Sequence, residues 1–444
     1  MNAPIFDFVK KYSEENFLRL HMPGHKGINF LGMESADITE IDGADSLYEA
    51  DGIISESEKN ASSLFGADTF YSTEGSSLCI RAMLYLACLK AKKDNKRPLI
   101  FAGRNAHKSF LSANILLDFD IEWLYGNSNS YLSCNINAEQ LEKLIIDSSE
   151  TPVAVYLTSP DYLGNTINLK SIADVCHKHN VLLLVDNAHG AYLKFLKPSQ
   201  HPIDFGADMC CDSAHKTLPV LTGGAYLHIR KNASEIFKEN AKNALALFGS
   251  TSPSYLILQS LDLANQYINQ GYSDKLCSFS DEVSELKTRL KNNGFSLTGN
   301  EPLKITIETK KLGFYATEFS KILADKKIIC EFADKDYIVL MLTPETGKDG
   351  LEILEKALIS ISFKNEIEEL PPEITIPQKV MSPRETSFLP SEIISVEKSE
   401  GRILASACVG CPPAVPIVMC GETINKQAIK CFKYYGIEKC RVVK

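Results

Sequence analysis

Residues 211–219 read CDSAHKTLP, and Lys216 is the residue among them with the most chemistry to offer. It follows a short apolar stretch, stands beside Ser213 and His215, and is trailed within a few residues by TGG. A lysine ammonium resists burial unless something pairs with it or uses it. Three more polar clusters stand directly after apolar runs: Asp186 and His189 in VLLLVDNAHG, His107 in FAGRNAHKS, and Thr158, Ser159 and Asp161 in YLTSPDYLGN. In STEGSSLCIRAMLYLACLKA, Gly75, Ser76 and Ser77 stand just before a long helical pattern. Backbone N–H groups, two hydroxyls and the positive end of a helix dipole would there face one point, as an anion pocket requires. Taken alone, the triplet reads equally well as an N-capping serine beside a turn glycine. A strand-end Asp could also hold magnesium in a nucleotide hydrolase, but that chemistry needs a GxxxxGK[ST] loop, which this chain lacks.

The combination is more specific than its parts. Pyridoxal phosphate needs a phosphate cradle, a carboxylate to keep its pyridine nitrogen protonated, a flat partner for its ring, and a lysine that holds it covalently. The anion pocket, Asp186, a strand-end histidine and Lys216 match those needs in turn.

Such residues have to be carried on strand ends, because ligands of open α/β sheets bind outside the carboxyl ends of the strands. The runs PLIFAG (98–103), IEWLYG (121–126), PVAVYLTSP (152–160), VLLLVDNAHG (181–190) and GGAYLHI (223–229) read as buried strands. Helical patterns such as NAEQLEKLIIDS and LKSIADVCHKHN lie between several of them, the signature of parallel strands joined by crossover helices. An amphipathic helix around SDEVSELKTRLKNNG, with Gly294 as its C-cap, closes this large domain, expected over 1–295. LKITIET, IICEFADKDYIVLMLTP and LEILEKALISI then suggest a smaller α+β domain over 296–369. A Pro-rich connector, 370–392, opens the last segment, 370–444.

Whole-chain numbers fit this picture. A chain of 444 residues with 44% hydrophobic and 23% charged residues is an ordinary globular composition, too long for one core. A net charge of -9 argues against a general nucleic-acid binder. No apolar run approaches the roughly 18–20 residues that span a bilayer. The N-terminus lacks the layout of a signal peptide, so a cytoplasmic location is expected. There the 13 cysteines are expected as reduced thiols.

At this point the sequence resembles the Orn/Lys/Arg decarboxylases of the aspartate-aminotransferase fold, in their short bacterial form without an N-terminal wing domain. The likeness runs through HMPGHKG (21–27), TEIDGADSL (39–47), GIISESEKNASSLFGAD (52–68), EGSSLCIRAM (74–83), RNAHKS (104–109), VDNAHGAYL (185–193) and GADMCCDSAHKTLPVLTGG (206–224). It continues in STSPSYLILQSLD (250–262), FADKDYIVLMLTP (332–344), MSPRE (381–385) and CPPAVPIVMCGE (411–422). It implies a pyridoxal-phosphate-dependent fold type I enzyme, with a mostly parallel sheet in the large domain and a smaller α+β C-terminal domain. The implied reaction is decarboxylation of a basic amino acid, lysine, arginine or ornithine. Lys216 is implied as the lysine holding the cofactor, Asp186 as partner of the pyridine nitrogen, and His107 as the ring-stacking residue. Gly75, Ser76, Ser77, His189, Ser213 and His215 complete the implied cofactor site. Thr251 and Ser252 are implied to reach a neighbour's phosphate, so that active sites are shared in a homodimer.

Departures from the family pattern bear on substrate choice: Glu74 where Asn is usual, Asn187 where an acidic residue is usual, Ala214 where Thr is usual, and GCPPA in place of PYPPG. Asp161, Glu331 and Asp334 are candidates for a substrate's distal cation and Arg384 for a carboxylate, although residues of these kinds are more often solvated surface charges. Cys408 and Cys411 form a CxxC followed by Cys420, Cys431 and Cys440, but no metal is expected in that part of the family pattern. His21 and His25 are spaced like helical metal ligands, yet Pro23 and Gly24 between them prevent that helix. Two rival readings stand beside the decarboxylase: another fold type I enzyme, such as an aminotransferase or lyase, and a non-catalytic regulatory relative.

Overall fold

The computed structural model describes residues 1–126, 130–407 and 415–444. The chain divides into two compact units. One comprises Met1–Pro98, Leu144–Leu157 and Leu169–Asp274; the other comprises Leu99–Lys143, Thr158–Asn168 and Lys275–Lys444.

Seven strands form the main sheet: β1 (Asp68–Ser72), β2 (Leu99–Gly103), β3 (Asp120–Leu124), β4 (Ala154–Thr158), β5 (Leu182–Asp186), β6 (Met209–Asp212) and β7 (Ala225–Ile229). Their order is β1-β7-β6-β5-β4-β2-β3. β5 runs parallel to β6, and β2 to β3. The sheet is mostly parallel, as expected, with β7 the exception, antiparallel to both β6 and β1. The connection from β6 to β7 contains only a one-turn helix, Ala214–Thr217. A parallel return needs a full crossover, usually with a longer helix. β1 has no apolar run to mark it, because DTFYS has only Phe70 and Tyr71 between polar residues, and the strand lies at the sheet edge.

In the first unit, the helix Gly75–Lys93 buries most of its faces, from Leu78 through Ala91. Lys90, Lys92 and Lys93 occupy its last turn, where cations complement the helix dipole. The strand that leads into this helix is fixed by a buried network. Asp262 accepts hydrogen bonds from the amides of Ile5 (2.8 Å) and Phe6 (3.1 Å), at the start of the helix Pro4–Glu14, and from Ser57 Oγ (2.5 Å). Ser57 Oγ also meets the Tyr71 hydroxyl of β1 at 2.7 Å, and Asn265 donates to the same hydroxyl at 2.6 Å. Burial pushes the Asp262 carboxyl up to about 6.

In the second unit, β8 (Leu297–Thr298), β9 (Lys304–Glu308), β10 (Phe332–Ala333) and β11 (Tyr337–Met341) form an antiparallel sheet in the order β10-β11-β9-β8. β12 (Ser391–Ser395) pairs antiparallel with β13 (Lys439–Val443). Val396, Leu404, Val418, Ile424, Phe432 and Val442 form an apolar core beside that pair. The stretch 370–392 is more than a connector. Ser382 and Glu385 build a reciprocal capping box on the short helix Pro383–Ser387, and β12 begins at Ser391. Gly294 has φ +87° just past the helix Ser273–Asn292, and its N–H bonds to Lys291, as a terminating glycine does. Among the described residues, no helix is long and apolar enough to cross a membrane.

Candidate active site

The site in the first unit is built on the neighbouring ends of β5 and β6, where Asp186 lies opposite Cys211. Asp186 is buried, and its carboxylate receives the Tyr156 hydroxyl (3.2 Å), the Ala188 amide (3.2 Å) and the Cys211 thiol (3.7 Å). All three are donors, so the group is set up as an acceptor. Burial, reinforced by the Asp186 charge, pushes the Tyr156 phenol well above its ordinary value, and it stays a donor. Three residues after Asp186, the buried His189 sets its Nε2 2.9 Å from Lys216 Nζ. The sequence thus brings Asp186, His189 and Lys216 together through one strand pair and the turns that follow it.

Ser213 stands at the N-cap of the one-turn helix that carries Lys216, and its hydroxyl donates to Ser76 Oγ at 2.8 Å. Gly75, Ser76 and Ser77 form the first turn of the helix Gly75–Lys93 rather than the loop before it. The TGG segment explains the join. The Gly75 amide donates to Gly223 O at 2.7 Å, the His215 amide bonds to Gly224 O at 3.2 Å, and His215 Nδ1 lies 2.9 Å from that same oxygen. Gly223 has φ +104°, and a Cβ there would come 2.8 Å from Thr73 O, so only glycine suits the position. Glu74, the least expected neighbour of an anion pocket, turns its carboxylate to the Ser250 amide at 2.5 Å. Next to that contact, Thr251 and Ser252 are exposed. Thr217 Oγ1, the next residue after Lys216, is buried with no hydrogen-bond partner among the described residues.

Beneath these turns lies a group that sequence reasoning missed. Asp212 is fully buried; its Oδ2 meets His201 Nε2 at 3.0 Å and His228 Nε2 at 3.1 Å, and its Oδ1 accepts from Asn187 Nδ2 at 2.6 Å. Burial works to raise its pKa, but the two imidazoles prevail and hold the carboxyl well below the usual range. His201, Cys210 and Asp212 also bring three ligand-type atoms within 4.8 Å of one another. Both imidazole nitrogens lie at hydrogen-bonding distance from the one carboxylate oxygen. Asn187, one of the departures noted above, is therefore the link from this carboxylate to the Asp186 turn.

The other candidates have distinct surroundings. His107 is the N-cap of the helix Lys108–Leu117; its Nδ1 accepts the Ser109 amide at 3.2 Å and lies 2.9 Å from Ser109 Oγ, which fixes the ring. Asp161 is buried, and its oxygens are taken by the Asn165 amide (2.9 Å), Asn165 Nδ2 (2.8 Å) and Ser133 Oγ. Arg384 donates to Ile115 O (2.7 Å) and Leu116 O (3.1 Å), closing the C-terminal end of the Lys108–Leu117 helix. The structure thus gives Asp161 and Arg384 structural posts. Glu331 is exposed and receives the Tyr162 hydroxyl at 3.2 Å. Cys408 and Cys411 lie outside the described residues; Cys420, Cys431 and Cys440 are buried thiols. His21 pairs with Tyr12 and His25 with Asp37.

Comparison with known proteins matches this arrangement to a class. The Orn/Lys/Arg decarboxylase major domain matches residues 3–306, and the C-terminal domain of the same family matches 372–439. The chain belongs to that family and is a pyridoxal-phosphate-dependent amino-acid decarboxylase. It is 30% identical to the uncharacterized Bacillus subtilis protein YaaO over 97% of this chain and 93% of that one. It is 27% identical to an arginine decarboxylase of the same organism, covering 96% and 92%. The lysine decarboxylase LdcF of Francisella novicida shares the fold, with a TM-score of 0.80 at 17% identity, over 100% of this chain and 81% of that one.

Replacing Asp212 by Ala leaves two buried imidazoles and the Asn187 amide without their acceptor. Denaturant unfolding at neutral pH is expected to show a loss of about 3–5 kcal/mol. Because the folded pKa lies below the unfolded one, the Asp212 contribution is present above the ordinary carboxylate pKa and is lost as pH falls through the folded value. Below the ordinary carboxylate pKa the gap between wild type and Asp212→Ala therefore narrows. A gap below about 1 kcal/mol at neutral pH, the size of an ordinary hydrogen bond, or one that does not narrow, contradicts this account.

Proposed function

We propose that the protein decarboxylates a basic amino acid, arginine first, with pyridoxal phosphate held on Lys216. The carrying observation is the 2.9 Å contact of Lys216 with His189, on strand ends where Asp186 accepts only from donors. Arginine comes first because the Bacillus subtilis relative that matches nearly end to end bears that name.

The residues present suit the cofactor. Ser76, Ser77, Ser213 and His215, with the first turn of the Gly75–Lys93 helix, would hold its phosphate, and the orphaned Thr217 hydroxyl adds a donor beside Lys216. Bound there, pyridoxal phosphate supplies an electron sink for the pair left behind as carbon dioxide departs. Asp186 would keep a proton on the ring nitrogen, and its burial makes that charge effective. His107, its ring fixed by Ser109, is our candidate for stacking. Lys216 would hold the cofactor, and its amine would be available as an acid or base whenever the substrate amine occupies that place. Its contact with His189 gives the freed amine a group with which to exchange the proton that Cα needs.

A homodimer with shared sites is part of the proposal. Eight large apolar side chains between Phe17 and Met33 are 47–84% exposed, among them Leu18, Leu20 and Leu31. They lie on a segment held in shape by Glu34, whose carboxylate accepts the amides of residues 30–33 at 2.6–3.0 Å. A preshaped apolar surface of this kind is what a second copy would cover, and Thr251 and Ser252 would then serve the partner's phosphate.

Holoenzyme given arginine, lysine or ornithine is expected to release carbon dioxide and the matching amine. Asp186→Ala is expected to slow that release by about a hundredfold or more while retaining cofactor absorbance. No release from any of the three, or a variant within about tenfold of wild type, contradicts the assignment. Light scattering of the holoenzyme should give twice the chain mass; a single-chain mass in an active preparation contradicts the shared site.

A further inference from the structure

The second unit contains a cavity of about 370 Å³ that the proposed chemistry at Lys216 does not use. Tyr131, Tyr315, Phe332, Tyr434 and Tyr435 wall it, and Asp334 and Lys335 are its charged lining residues. The rings meet edge to face: Tyr131 and Tyr435 have centroids 5.0 Å apart, and Tyr434 and Tyr435 4.9 Å apart at 87°. Aromatic faces carry negative potential and attract organic cations. The protein's own lysines show that these rings accept one, since Lys335 Nζ sits 4.2 Å from the Tyr434 centroid and 5.1 Å from that of Tyr315.

The charges around the cavity do not balance. Lys310 pairs with Asp336 at 2.6 Å and Lys335 with Glu369 at 2.8 Å. Asp334 is left with the backbone amides of Asp336 and Tyr337, both 2.7 Å from Oδ1, and has no ion pair among the described residues. Burial pushes its carboxyl up to about 6. A buried acid without a counter-ion is costly when ionised, and a ligand that brings the counter-ion relieves that cost. One carboxylate among aromatic rings is too few oxygens for calcium or magnesium.

We propose that this cavity binds a small organic cation, a guanidinium or alkylammonium, with the tyrosine rings around it and Asp334 as its counter-ion. The inference rests on the proposed function only for the choice of that class, which is the class of the substrate's side chain and of the amine product. Its volume lies in the range of small-molecule sites.

Butylguanidinium is the probe, because it has the cation but neither the amine nor the carboxylate that would engage a decarboxylation site. Titration calorimetry on the holoenzyme is expected to show saturable binding at one site per chain. Asp334→Asn, which keeps an acceptor for the two amides, is expected to weaken binding at least tenfold with an unchanged unfolding midpoint. Lys335→Ala, which clears the ammonium from the rings, is expected to bind as tightly as wild type or more so. Should Asp334→Asn fold poorly, Tyr315→Leu is expected to show the same loss. Absence of saturable binding, wild-type affinity in the folded carboxylate or tyrosine variant, or tenfold weaker binding in Lys335→Ala overturns the proposal. Carbon dioxide release from arginine without butylguanidinium binding overturns this inference alone. Binding without release from any basic amino acid overturns the proposed function alone.

Discussion

One fully buried carboxylate, Asp212, governs where the reactive groups of the first unit stand. Removing a charge from water costs several kcal/mol, and the cost is offset only when the charge is fully hydrogen-bonded. Here the donors come from separate parts of the chain: His201 from the loop before β6, His228 from β7, and Asn187 from the turn after β5. Satisfying one carboxylate therefore fixes three segments at once. Asn187 follows Asp186 directly, and Asp212 precedes Ser213, so residues on both sides of the candidate site inherit that position.

A second constraint acts through the backbone. The Gly223–Gly224 turn receives the Gly75 amide on one carbonyl and His215 on the next, at a separation from Thr73 that leaves no room for a Cβ. The start of the helix Gly75–Lys93 and the lysine-bearing turn are thereby joined through two successive backbone carbonyls. Pre-organisation of this kind holds donors and acceptors in place before a ligand arrives, which is where electrostatic catalysis gains most. Asp186 illustrates it, since its three partners are donors and its own role as acceptor is fixed by the fold.

How much of this was legible in the sequence depended on how local each signal was. Asp186 and Lys216 could be read because each follows an apolar run that ends a buried strand, and the Gly-Ser-Ser triplet because it meets a long helical pattern. His201, Asp212 and His228 could not, because their association depends on the pairing of β6 with β7 and on a distant loop, which no spacing records. Asp161 had a local signal that went unused. Asn165, four residues on, takes up its carboxylate, as in the side-chain turns that Asp favours. The helix-closing role of Arg384 and the capping box around it were hidden in a Pro-rich stretch whose helix is only five residues long. The orientation of β7 followed from the length of a connection, a weaker clue than periodicity. The residues alone led as far as the cofactor; the family likeness supplied the reaction.

The central claim is that the cofactor belongs to Lys216 among the lysines of this chain. Borohydride reduction of the holoenzyme, which fixes a cofactor held by a lysine, followed by peptide mapping tests it directly. The account predicts a pyridoxyl group on the peptide containing Lys216 and loss of that label in Lys216→Ala. A label on another lysine, or none on a preparation saturated with pyridoxal phosphate, would contradict it.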